Sequence, residues 1–226
     1  MEHLDMQPVW LTLRLASLTI LILIVIGTPL AWWLANTHSR IKTPIEAITA
    51  LPLVLPPTVL GFYLLILTGP NGTFGSFWIS VTGHPLSFTF TGILIASCLY
   101  SLPFVVQPLQ SAFETLDKKA LEAAWTLGAS WIKAFFTVVV PQTRRGFLVA
   151  SVLGFAHTVG EFGVVLMVGG NIPGQTQVVS ISIYDHVESL DYTTAHVLSA
   201  GLVLFSFAVL VLIYGIQRRW HMEVHA

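Results

Sequence analysis

Apolar residues run along this chain in long blocks, and polar positions are pushed into a few short segments. No Asp, Glu, Lys or Arg occurs between Glu46 and Glu114, and a second uncharged run covers Leu15 to Thr37. A helix needs about 20 apolar residues to cross a bilayer. In lipid only helices or closed barrels satisfy every backbone group. The blocks are rich in Leu, Ile, Val and Phe and do not alternate, which favours helices over barrel strands. The pattern predicts an all-α transmembrane bundle in one domain, residues 1–226, with spans at about 12–35, 47–68, 89–110, 142–168 and 194–217. Pro52, Pro56 and Pro57 fall in the second span and Pro103 and Pro108 in the third. Membrane helices tolerate proline where neighbours re-satisfy the freed carbonyls, so these two spans are expected to be kinked and packed inside the bundle.

Composition agrees with that reading. Of 226 residues 54% are hydrophobic and 9% charged, against roughly 25% charged in soluble domains, and the mean hydropathy is +0.79. The basic residues give the orientation. With the N-terminus outside, segments 36–46 and 111–141 and the C-terminal tail lie inside, and every Lys and Arg except Arg14 falls in or near them, Arg144 and Arg145 just past 141. The outer segments 69–88 and 169–193 hold none. The positive-inside rule therefore predicts N-out, C-in. A net charge of −1 gives no reason to expect a nucleic-acid partner. Cys98, the single cysteine, excludes an intrachain disulfide. The acidic start, Glu2 and Asp5, does not read as a cleaved signal peptide.

The segment 113–141 is long for a link between spans. Asp117 can cap a short helix over 118–126, with Leu116 and Leu121 spaced as a hydrophobic staple. Gly128 suits the left-handed residue that ends such a helix, and Ser130 can cap a second one. Ala123 and Ala124 keep the first helix thin enough for a groove, and Glu122 leaves a charge for a basic partner. The plain alternative is a surface loop that only joins two spans.

Glu122-Ala123-Ala124, three further residues, Gly128, then an apolar stretch ending at Pro141 resembles the cytoplasmic loop of inner-membrane subunits of bacterial ATP-binding-cassette (ABC) importers. Val140 stands where many members have Ile or Leu, a conservative departure. Leu51-Pro52-Leu53-Val54-Leu55-Pro56-Pro57-Thr58-Val59 resembles a motif shared by molybdate and sulfate permeases. Gly160-Glu161-Phe162-Gly163 followed by Gly169-Gly170-Asn171-Ile172-Pro173-Gly174 looks more like the molybdate permeases. The resemblance covers nearly the whole chain and implies a type I importer (MetI-like) transmembrane domain in the inner membrane. It further implies a second copy of the chain, a cytoplasmic ATP-binding subunit and a periplasmic molybdate-binding protein as partners. Glu122, Ala123, Ala124, Leu127 and Gly128 would couple to the ATPase. No Gly-x-x-x-x-Gly-Lys-Ser/Thr loop occurs, so ATP hydrolysis is expected in another chain. No cofactor is expected.

Polar residues within the spans suggest a pathway or gate: Thr58, Ser101, His157, Thr158 and Glu161. Ionisable groups in a membrane segment are functional candidates because of their cost. His157 and Glu161 are four apart on the fourth span, as on one helix face. One reading has Glu161 bonding His157 or a neighbouring helix end and holding the Gly160/Gly163 turn. Others have it lining the path or serving a proton relay or metal site, although two ligands do not complete a zinc site. No Lys or Arg lies deep in any span, so an anion path would offer only hydroxyls and freed backbone amides, leaving selectivity to a receptor outside. Trp32, Trp33, Trp78 and Trp220 fall at expected interfaces and read as anchors.

Sulfate, thiosulfate or tungstate import is the alternative within the class. A stand-alone secondary transporter or channel is the alternative outside it. That would need an ionisable coupling site near the midplane, where only His157 and Glu161 are candidates.

Overall fold

A computed structural model describes residues 5–222, with side chains at 212–214 and beyond 215 outside the description. The side chains of Arg218, Arg219 and Trp220 therefore lie outside the described residues. The chain is helical, in the order α1 (Gln7–Asn36), α2 (Lys42–Val54), α3 (Pro57–Thr68), α4 (Thr73–Thr82), α5 (Phe90–Glu114), α6 (Lys118–Thr126), α7 (Trp131–Ala134), α8 (Val140–Val159), α9 (Gly163–Gly169), α10 (Val179–Glu188) and α11 (Tyr192–Met222). One π-helical turn, Phe135–Val139, joins α7 to α8.

Helix α5 is the centre, with α1 and α8 packed along it. Lipid tails are as apolar as Leu, so association rests on close packing rather than on escape from water. Small residues supply it here. A Cβ added at Gly154 of α8 would lie 2.6 Å from Ile20 and 2.7 Å from Val105, and one at Gly146 would lie 2.3 Å from the Cβ of Ala112. The main apolar cluster joins Leu23, Ala31 and Leu34 of α1 to Val105, Val106, Leu109 and Phe113 of α5 and to Leu121 of α6. The short helix α6 is thus seated on the bundle itself.

Among the described residues three helices are long and apolar enough to cross a membrane, and up to five spans result if each of two bent pairs counts as one. Both bends depart from the straight or mildly kinked spans of the sequence reading. Residues 47–68 are two helices, α2 and α3, at 113° to each other. Leu55 and Pro56 each precede a proline, which drives the preceding residue out of the helical region. Their ψ angles are 135° and 138°. Residues 142–168 also break: α8 ends at Val159 and α9 starts at Gly163, at 60°. By contrast α5 runs unbroken through Pro103 and Pro108.

The helix from Trp131 continues into α8, so Pro141 lies within helical backbone rather than at a boundary. A proline ring clashes with the carbonyl four residues back. The π turn immediately before it widens the backbone there, with the Val140 N–H donating to the Phe135 carbonyl. The segments 69–88 and 169–193 contain the short helices α4 and α10. Trp32 is half-buried, and its ring packs edge-on against Phe113 at 5.2 Å and Phe135 at 6.2 Å.

Candidate functional site

Two sites emerge, one on the segment 113–141 and one at the junction of the broken helices. Helix α6 begins at Asp117, whose carboxylate accepts from the Lys119 N–H at 3.0 Å. Leu116 and Leu121 are both buried in the main cluster, as a staple requires. At the other end Gly128 has φ +79°. Its N–H donates to the Trp125 carbonyl at 2.9 Å, and the Ala129 N–H donates to the Ala124 carbonyl at 3.0 Å. This pair of bonds is a Schellman cap, and it turns the chain sharply into α7, where Ser130 Oγ accepts from the Lys133 N–H.

That turn leaves an unusual surface. Leu127 is 88% exposed, and Trp125, Trp131, Ile132 and Phe136 are exposed beside it in sequence. Glu122 and Ala123 are exposed as well, and Ala124 is half-buried. An apolar patch rimmed by polar residues marks an interaction surface. The sequence reading picked out Glu122, Ala123, Ala124, Leu127 and Gly128 but passed over Trp125, Trp131, Ile132 and Phe136. For Trp131, Ile132 and Phe136 the helical spacing after the Ser130 cap is the available signal.

The second site is a cavity of about 520 Å³ where α3, α5 and α8 meet the break before α9. Pro57, Thr58, Tyr100, His157, Glu161 and Gly163 are among its lining residues. Thr58 reaches it because α3 starts at Pro57 after the sharp bend. Ser101 and Thr158 stand behind the wall, both buried. All five predicted pathway residues are therefore brought to one place.

The hydrogen bonds fix how His157 is presented. Thr158 Oγ1 donates to the Gly154 carbonyl at 2.9 Å. Ser101 Oγ lies 2.9 Å from Thr158 Oγ1 and 2.9 Å from His157 Nδ1. Each hydroxyl has one proton. All three contacts are satisfied when His157 Nδ1–H donates to Ser101, Ser101 to Thr158, and Thr158 to Gly154. In the neutral ring Nε2 is then the acceptor. Phe104 stacks on the imidazole at 3.8 Å and Tyr100 lies 4.7 Å away. Sequence reading missed both aromatics, because apolar residues within a span look alike until a partner helix is placed.

The expected Glu161–His157 hydrogen bond is absent. Gly160 to Phe162 lie outside α8, so the four-residue spacing no longer puts the two on one face. Glu161 is 4% exposed, and neither carboxyl oxygen has a partner among the described residues. Its backbone carbonyl accepts from Ser180 Oγ of α10. The wall offers acceptors and hydroxyls and no Lys or Arg.

This all-helical bundle with two broken helices has the fold of ABC transporters of known structure. A bacterial transporter that imports the acidic polysaccharide alginate has this fold, with TM-score 0.77 at 15% identity over 97% of this chain and 80% of that one. So does the inward-facing MetNI methionine transporter, with TM-score 0.71 at 17% identity over 96% and 95%. The chain belongs to the family of binding-protein-dependent transport system inner membrane components, whose model matches residues 27–221. It is 58% identical to the molybdenum transport system permease protein ModB of Azotobacter vinelandii over 96% of each chain. It is 35% identical to ModB of Escherichia coli K12 over 82% of this chain and 81% of that protein. The sulfate transport system permease CysT of Synechocystis is 34% identical over 87% and 68%.

Proposed function

We propose that this chain is the membrane-spanning subunit of an ATP-driven molybdate importer. End-to-end identity of 58% with the A. vinelandii molybdenum permease is the observation that carries the substrate. In this reading two copies form the translocation pathway, N-out and C-in, and ATP is hydrolysed by a separate cytoplasmic subunit. A periplasmic molybdate-binding protein delivers the anion. The domain is the whole chain with five spans, two of them broken.

Glu122, Ala123, Ala124, Leu127 and Gly128 form the contact through which the ATPase acts. Exposure of Leu127 beside Trp125 and Trp131 supports it, since burying one Leu side chain is worth about 1.5–3 kcal/mol. Seating of Leu121 in the main cluster gives that contact a rigid path to α1 and α5. Thr58, Ser101, His157, Thr158 and Glu161 belong to the pathway. A wall without Lys or Arg holds a dianion weakly, which suits passage rather than capture, and leaves discrimination to the binding protein.

Kinship with a sulfate permease gives sulfate as the second reading. One experiment separates them. The chain is reconstituted in liposomes with its ATPase and binding protein, and uptake of labelled molybdate is measured with sulfate as competitor. Molybdate uptake that needs ATP and both partners, and resists excess sulfate, is expected. Uphill uptake by the chain alone would overturn the proposal.

A further inference from the structure

The two broken helices meet each other directly. Helices α3 and α9 pack side by side, and each contributes a glycine to the contact. A Cβ at Gly61 would fall 2.8 Å from the Cβ of Met167 and 3.2 Å from the Cα of Val164. One at Gly163 would fall 2.8 Å from the Cβ of Pro57. Contacts under 3.0 Å to a Cβ or to backbone cannot be relieved by a flexible side-chain end, so either substitution pushes the two helices apart. Leu64 of α3 and Val164 and Val168 of α9 fill the rest of the seam with Ala96 of α5.

Helix α9 is in turn fixed to the start of α5. The Phe88 N–H donates to the Val168 carbonyl at 2.9 Å. A Cβ at Gly169 would meet Ile93 at 2.4 Å. Below this group the chain has two joints, the extended Leu55–Pro56 pair and the non-helical Gly160–Phe162 stretch. The cavity with Thr58, His157 and Glu161 lies at those joints.

We infer that Gly61 and Gly163 are positioning residues that key α3 and α9 into one rigid unit, which stays assembled throughout transport while α8 moves against it at the two joints. The inference rests on the permease reading. Motion driven from α6 reaches α8 through continuous helix from Trp131, whereas α3 is separated from α2 by a 113° bend. The cavity wall is then built from both moving parts: Thr58 rides on the keyed unit, and His157 rides on α8.

The test uses the complete complex with Cys98→Ala. A Leu64→Cys/Val168→Cys pair, in the one buried cluster of the seam, ties α3 to α9 when joined by a short bifunctional thiol reagent. A Tyr63→Cys/Leu153→Cys pair, both exposed, ties α3 to α8 when joined by a longer one. Uptake is expected to persist in the first and to be lost in the second, with omission of the reagent restoring it. Loss of uptake on forming the 64–168 link, or full uptake with the 63–153 bridge, would overturn the inference. Spin labels at Tyr63 and Met167, and at Tyr63 and Leu153, give a readout independent of substrate. The first separation is expected to stay fixed between nucleotide-free and ATP-bound complexes, and the second to change; a fixed second or shifting first distance would also overturn it. Failure of the Cys98→Ala complex to take up molybdate would count against the function proposal alone.

Discussion

Gly128 offers a perturbation whose cost can be worked from one angle. Its φ of +79° lies in the left-handed region, and a Cβ built there meets nothing within 4 Å. Any penalty for a larger residue is therefore conformational and not steric. An L residue held in that region costs roughly 1–2 kcal/mol, with β-branched side chains worst and Asn mildest. A change of that size shifts a local equilibrium by roughly 5–30-fold. Because Leu121 anchors α6 in the core, the bundle keeps its fold and the loss falls on the cap alone, which sets the direction of Leu127 and the start of α7. Gly128→Val is expected to lower ATP-driven uptake by up to that factor at unchanged membrane abundance. Gly128→Ala should lie between Val and Asn. The assay is the initial uptake rate in liposomes with ATPase and binding protein, normalised to inserted subunit. Equal rates for Gly128→Val and the parent chain would show that the capped turn does not transmit the ATPase's motion.

Three other outcomes follow from local chemistry. Thr158→Val removes the acceptor for the Ser101 proton, which then turns to His157 Nδ1; nitrogen NMR of the labelled ring should show the proton moved to Nε2, and a persistent Nδ1–H would contradict the relay's direction. Gly146→Val forces α8 off Ala112, where an added Cβ sits at 2.3 Å; overpacking of about 1–3 kcal/mol should lower the melting temperature in detergent, and no shift would refute the close approach. Asp191 caps α11 by accepting from the Thr194 N–H at 3.2 Å, and hydrogen bonds with Thr194 hold its carboxyl below the ordinary value of 3.8. A depressed carboxyl stabilises the folded state above its unfolded pKa and loses that effect as pH falls through the folded one. Amide exchange at Thr194 should accelerate only below about pH 3.8, and acceleration already between pH 7 and 5 would contradict this.

The sequence by itself determined the class of structure and the caps. The long uncharged block between Glu46 and Glu114 points into lipid, bilayer physics then leaves helices or closed barrels, and the lack of alternation chooses helices. Asp117, Gly128 and Ser130 act on backbone groups a few residues away, so their roles were legible from spacing alone. Tertiary structure decided everything that depends on which helix lies beside which. Pro56 and Pro57 announced a disturbance, but the same residue type leaves α5 unbroken and folds α2 from α3 by 113°. Glu161 and His157 looked like one helix face until the break at Gly160 separated them. That Trp32 sets its ring against Phe113 and Phe135 is visible only in the packed bundle. The seam between Gly61 and Gly163 joins residues far apart in the chain, and no periodicity carries that information. In a uniformly apolar chain hydropathy cannot rank one neighbour above another. Shape at the contact does that, and shape exists only once the helices have packed.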